Sequence, residues 1–230
     1  MGKRGPRPKG KVNIRWSPDF AYAIGLLATD GSLSKNGRHI SFVSKDMEQI
    51  SNFMKCLNVE VHIGKTFSGY DGNSAYRVQF SDVLFYRFLN SNGLLNNKSK
   101  TIGEIAIPHE LFFHFLRGCF DGDGTIYSYW DKRWKSSFMF YVSFVTASPL
   151  FMEWLRREMR ERIGVSGHVK RDKRASTQQL TYAKSESRKI LAEIYKDADA
   201  TSLSRKRLKS ERILCIMSER DKLKGEILTE

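Results

Sequence analysis

Two stretches of the chain, Ala23 to Gly31 (AIGLLATDG) and Leu116 to Gly124 (LRGCFDGDG), share one uncommon design: an apolar helix with small residues along one side, ending in Asp followed by Gly. Aspartate is poorly placed at a helix C-terminus, where the last carbonyls already gather partial negative charge and favour Lys or Arg. The two aspartates are Asp30 and Asp123. Each follows a glycine, Gly25 or Gly118, and the position just before each is Thr29 or Gly122. Small residues four apart lie on one helix face and let a second backbone come close. If the two helices pack on these faces, their C-terminal ends meet. Two carboxylates then stand side by side and repel unless a cation lies between them. All-oxygen ligation points to a divalent metal, Mg²⁺ first, with Mn²⁺ able to substitute. A pair of solvated caps is the plainer alternative, and the dipole argument weighs against it.

The formal net charge of +14 and a pI of about 9.7 fit a polyanionic partner. Nucleic acid comes first, because Lys and Arg gain affinity by releasing counterions from phosphates; a merely basic or ribosome-associated protein is the bland alternative. Cys56, Cys119 and Cys215 form no CxxC pair and no zinc pattern, and read as thiols in a reducing compartment. No apolar stretch is long enough for a membrane span, and no signal-peptide core is visible at the N-terminus. A soluble intracellular protein without membrane contact is expected, in a prokaryotic cytoplasm or an organelle.

Residues 1–15 (MGKRGPRPKGKVNIR) are rich in Gly, Pro and basic side chains and are expected to form a mobile arm. Its RGPRPKG segment, with Arg4, Arg7 and Lys9, is similar to an AT-hook that lies in a narrow minor groove; a solvated tail with general phosphate affinity is the alternative. Beyond it the chain repeats itself. Arg38 to Lys45 alternates as a strand, Asp46 caps an amphipathic helix, and strands are predicted at Val59 to Phe67 and Ala75 to Ser81 around a Gly69 to Gly72 turn. Asp82 then caps a helix ending near Gly93. The second half gives strands at Phe140 to Thr146, Val165 to Arg171 and Gln178 to Lys184, and a helix at Pro149 to Ile163. Ser185 and Glu186 echo Ser81 and Asp82, Ile126 echoes Leu33, and Leu203 to Lys209 (LSRKRLK) echoes Asn97 to Gly103 (NKSKTIG). The division expected is an arm over 1–15, one half-domain over 16–107 and a second over 108–230 with a C-terminal helix.

With these two motifs and the FLRGCFDGDG run, the sequence resembles the LAGLIDADG homing endonucleases of the monomeric, two-motif kind, from about Trp16 to about Leu214. The resemblance implies an α+β fold: a pseudo-twofold pair of αββαββα half-domains, two motif helices at the interface, and two curved antiparallel sheets on the DNA major groove. It also implies metal-dependent cutting of both strands of a long, pseudo-palindromic double-stranded site by a monomer. Asp30 and Asp123 match the motif aspartates and become the metal ligands, helped by the carbonyls of Thr29 and Gly122, with Ca²⁺ expected to bind without efficient cleavage. In such a family a lysine at the end of a strand sits by the scissile phosphate, and the FVSKD run carries that role to Lys45. The second half reads VTASP and puts Ala147 there, so Lys98 or Lys206 is the candidate to reach in, against a plain phosphate contact for either.

Base readout is assigned to the strand faces away from the core. The candidates are Ser32, Ser34, Asn36, Arg38, His39, Ser41, Arg77 and Gln79 in the first half, and Tyr127, Tyr129, Tyr141, Ser143, Gln179 and Thr181 in the second. The DGDGTI run also resembles part of an EF-hand loop. That alignment puts Cys119 and Trp130 at the first and twelfth ligand positions, where oxygen donors are required, and so fails. A DNA-binding regulator that does not cut, and an RNA-binding intron maturase with intron RNA as partner, remain as alternatives on the same scaffold. The sequence opens with Met and lacks the Cys or Ser and His-Asn junctions of an intein, which suggests a free-standing or intron-encoded protein.

Overall fold

The structure is a computed structural model and describes residues 10–67, 74–134, 137–171 and 176–227. The first half runs α1 (Pro18–Asp30), β1 (Gly31–Leu33), β2 (His39–Ser44), α2 (Met47–Leu57), β3 (Ile63–Phe67), β4 (Ser74–Ser81) and α3 (Val83–Ser91). The second repeats it as α4 (Phe112–Asp123), β5 (Thr125–Trp130), β6 (Phe138–Thr146), α5 (Pro149–Ile163), β7 (His168–Arg171), β8 (Gln178–Tyr182) and α6 (Lys184–Ile194), followed by α7 (Ser204–Ile227). The fold is α+β: each half folds its strands into a four-stranded antiparallel sheet, ordered β1-β2-β4-β3 and β5-β6-β8-β7.

Local chemistry starts these helices where the sequence places them. Ser17 accepts from the Phe20 amide at 3.1 Å with Pro18 in the first turn, and Ser148 does the same for Phe151 before Pro149. Asp46 accepts from Glu48 N and Asp82 from Phe85 N. Every residue of α1 from Phe20 to Ala28 is buried. A helix buried all round lies between other layers: α1 packs along α4 at the join of the halves, and the sheets and remaining helices enclose both.

Differences from the expected bounds have local causes. Strand β3 starts at Ile63 rather than Val59, because Val59 N bonds back to Met54 O after Asn58 turns left-handed at φ 50°. The second half repeats this: Val165 N reaches Met159 O past Gly164 at φ 65°, and β7 begins only at His168. Ser185 and Glu186 do not echo Ser81 and Asp82, since they lie inside the first turn of α6, whose Ala183 cap has no side-chain bond. Glu186 instead accepts from Ser166 N at 2.8 Å. The Gly69 to Gly72 turn and residues 1–9 of the expected arm lie outside the described residues. From Lys11 the chain is held: Lys11 N and Val12 N donate to Asp82 Oδ2 at 2.6 and 3.0 Å, and Val12 is buried.

Candidate metal and nucleic-acid site

The glycines of the two motifs bring the helices together. A Cβ on Gly25 would overlap the Phe115 carbonyl oxygen, and one on Gly118 would overlap that of Tyr22. Cys119 Sγ lies 3.6 Å from Gly25 O across the same seam. Nearer the C-terminal ends, a Cβ on Gly122 would come within 2.6 Å of Asp30 Oδ2. The Asp30 carboxylate therefore rests on the backbone next to Asp123, as the small-residue faces predicted.

Both aspartates are hard to ionise. Burial, and then the charge of Asp123, push Asp30 up to about 6, against the pull of the Thr29 hydroxyl, Lys98 and Lys206. Asp123 is the more exposed of the two; its partial burial also raises it, opposed by the same two lysines. Among the described residues there is no group of three or more His, Cys, Asp or Glu that could hold a metal ion, so any protein ligation there needs backbone oxygens beside the two carboxylates. The donor set nonetheless fits a hard divalent cation: it is all oxygen, and its carboxylates are left short of positive charge.

Lys98 and Lys206 account for the unfavourable helix ends. Lys98 is 7% exposed and its Nζ donates to Ala28 O at 2.8 Å and Thr29 O at 3.0 Å. Lys206, equally buried in the first turn of α7, faces four carbonyl oxygens: Phe120 at 2.5 Å, Asp121 at 2.9 Å, Gly122 at 3.3 Å and Gly124 at 2.6 Å. Each motif helix thus ends in an aspartate, while a lysine from a distant segment satisfies its last carbonyls. Burial lowers both ammonium groups, Lys206 to about 8, and the aspartates oppose that shift. Both amines thus bond to the helix ends. The carbonyls of Thr29 and Gly122 each accept from one lysine, and a carbonyl oxygen has a second lone pair.

Beside the helix ends lies a pocket of about 280 Å³, bordered by Thr29, Lys98, Asp123, Thr146 and Ala147 among others. The second-half strand end therefore brings a methyl group to this pocket, from the position that corresponds in sequence to Lys45 of the first half. Lys45 is exposed directly after β2 and precedes Asp46, which pairs with Arg205 at 3.1 Å, next to Lys206 in sequence.

Asp121 is a residue of this region for which sequence reasoning found no role beyond the failed EF-hand alignment. It is buried, accepts from Tyr22 Oη at 2.8 Å and from Leu203 N at 2.7 Å, and has Tyr195 Oη at 3.5 Å. Burial pushes it up to about 6. It ties α4 to α1 and to the turn that starts α7, and thereby sets where Lys206 begins. An acid two residues before the motif aspartate, opposite Ala28 in the first copy, is the signal that could have shown it.

The readout candidates separate into free and occupied groups. On the first sheet Ser32, Ser41 and Gln79 form one cross-strand row, with Arg77 opposite Val43 and hydrogen-bonded to Gln79. Ser32, Arg38, Arg77 and Gln79 are exposed. Asn36 mainly builds the β1–β2 turn: its Oδ1 accepts from Ser34 and from the amides of Arg38 and His39, and its Nδ2 meets His39 Nδ1 at 2.6 Å. On the second sheet Tyr127, Tyr129 and Gln179 are exposed and Tyr141 and Thr181 half-buried. Ser143 departs from expectation: it is 6% exposed and its hydroxyl lies 3.0 Å from that of Thr181, so neighbouring strands cover it. Arg4, Arg7 and Lys9 lie outside the described residues.

Comparison with known proteins bears on the fold. The sequence profile of the LAGLIDADG-like domain matches residues 110–196. The I-LtrWI LAGLIDADG homing endonuclease bound to target DNA is similar over 92% of this chain and 94% of its own, with TM-score 0.59 and 14% identity. I-SmaMI bound to an uncleaved DNA target in the presence of calcium ions gives 94%, 96%, 0.59 and 13% for the same quantities. Full-length DUF199/WhiA from Thermatoga maritima is similar over 96% of this chain and 71% of its own, with TM-score 0.56 and 14% identity. Among curated proteins, the DNA-directed RNA polymerase subunit Rpo1C of Methanocaldococcus jannaschii is 29% identical over 133 residues, 54% of this chain. The match spans only 15% of that relative's length. No helix among the described residues is long and apolar enough to cross a membrane. Residues 110–196 thus match a LAGLIDADG-like domain, and the chain has the fold of the LAGLIDADG homing endonucleases across both halves.

Proposed function

We propose that this protein is a site-specific, divalent-metal-dependent endonuclease that cuts both strands of a long, pseudo-palindromic DNA site as a monomer. One observation carries the reading: two carboxylates, one from each half, the half-buried Asp30 and the more exposed Asp123, meet at the ends of paired helices in a chain of net charge +14. A DNA-binding surface gains nothing from two carboxylates facing a phosphate backbone unless a cation joins them. Asp30 and Asp123 would hold Mg²⁺, with the free lone pairs of the Thr29 and Gly122 carbonyls beside them. When bound, such a cation supplies an acidified water and positive charge for the phosphoryl oxygens. Lys45 offsets charge developing at phosphorus. Lys98 and Lys206 hold the helix ends that aim the carboxylates, and the two sheets position the duplex. The calcium present with uncleaved DNA in the I-SmaMI structure supports divalent binding, and Ca²⁺ is expected to sustain binding here with little turnover.

The test is a cleavage selection on a randomised duplex library with Mg²⁺, run with wild type and with Asp30→Asn. One enriched cut site with wild type and none with the variant supports the endonuclease. A second reading, a sequence-specific DNA-binding regulator, draws on Ala147, which leaves the second strand end without a counterpart of Lys45. Sequence-selective binding by both proteins, with no cut product from either, would establish it.

A further inference from the structure

The outward faces of the two sheets are built from different chemistry. On the first, Ser32, Ser41 and Gln79 stand in one row, with Arg77 beside them. On the second, Tyr127 and Tyr129 alternate along β5, and Tyr141 lies opposite Tyr127 on β6. Their rings join into one slab: Tyr127 and Tyr129 are 5.4 Å apart, and Tyr129 and Tyr141 stack at 6.4 Å with 15° between planes. Tyr127 is 58% exposed. The hydroxyls behind the slab, Ser143 and Thr181, are engaged with each other. Both signs of charge lie at its β5–β6 end, where Asp131 and Arg133 act on Tyr129, and Lys170 stands farther along the sheet, opposite Gln179 on β7.

An exposed aromatic slab on a chain of net charge +14 suits an apolar group carried by a polyanion. At base edges in a DNA major groove, the apolar group on offer is the C5-methyl of thymine, whereas Arg and Gln match the hydrogen-bonding edges of guanine and adenine. We infer that the second sheet recognises its half-site through thymine methyl groups resting on Tyr127, Tyr129 and Tyr141, while the first sheet recognises the other half-site through polar contacts to purines. This rests on the duplex-DNA reading above and states how its two half-sites differ.

The experiment measures binding in Ca²⁺, without cleavage, to a duplex selected from a randomised library. Thymines are replaced by deoxyuridine, which lacks only the methyl, in one half-site at a time. Each contacted methyl is expected to change affinity about fourfold, from roughly 0.8 kcal/mol per buried carbon. The effect should be confined to the half-site that also responds to the double variant Tyr127→Ala/Tyr141→Ala, and that variant should bind thymine and uracil duplexes equally. Tyr127→Phe keeps the ring and should keep the discrimination; its loss there would mean a hydroxyl contact and overturn the inference. Equal affinity of the wild type for thymine and uracil duplexes overturns it while the duplex-DNA reading stands. Failure to select any duplex overturns both.

Discussion

The two halves agree where they touch each other and diverge where they face outward. At the seam, Gly25 answers Gly118, Asp30 answers Asp123, and a buried lysine closes each helix. Away from it the copies part. Lys45 has no lysine counterpart but Ala147, Ala28 has Asp121, and a polar sheet face stands opposite an aromatic one. The shared part is what two helices need in order to approach closely and place two acids together, so it binds both halves to one solution. The outer surfaces have no such mutual constraint and can fit two unlike stretches of a partner.

The largest effect is expected at the seam. Gly25→Ala or Gly118→Ala puts a methyl into the facing backbone, and should destabilise the fold by about 3 kcal/mol or more in urea unfolding. Gly64→Ala has only Arg77 O nearby at 3.7 Å and should change stability by about 1 kcal/mol or less. Equal tolerance at all three positions would break the comparison.

The strand ends come next. Lys45→Ala should slow one nick about 100-fold in a strand-resolved assay, and wild type should already nick the strand facing Ala147 more slowly. Identical rates for both strands in both proteins would remove Lys45 from the chemistry. The caps should differ in turn: Lys206→Met strips donors from four carbonyls and Lys98→Met from two. Losses of about 3 and about 1–2 kcal/mol are expected in denaturant titrations, in that order.

The sequence displayed the seam because its requirement is local: small residues at helical spacing, followed by an acid, can be read from nine residues. The caps Asp46 and Asp82 were legible for the same reason. Lys98 and Lys206 were visible as an echo, but their partners lie about 70 to 85 positions away in sequence, so their work on helix carbonyls depends on tertiary closure. Ser143 failed likewise, because strand alternation gives its face and not the Thr181 hydroxyl that covers it.

The last comparison separates the two aspartates themselves. Burial first, and then the charge of Asp123, make Asp30 hold its proton up to about 6. Its folded-state pKa lies above the ordinary 3.8. Protonation therefore supports the fold at low pH, and that support is lost as pH rises through about 6. Asp30→Asn removes the ionisable group, so without divalent metal it should gain stability relative to wild type as pH rises from about 4 to about 7. Carboxyl chemical shifts followed by NMR should show Asp30 titrating above Asp123, and added Mg²⁺ should move the Asp30 midpoint down, because a cation favours the ionised acid. An Asp30 midpoint at the ordinary carboxylate value without metal, unmoved by Mg²⁺, would mean that the two side chains do not share a site.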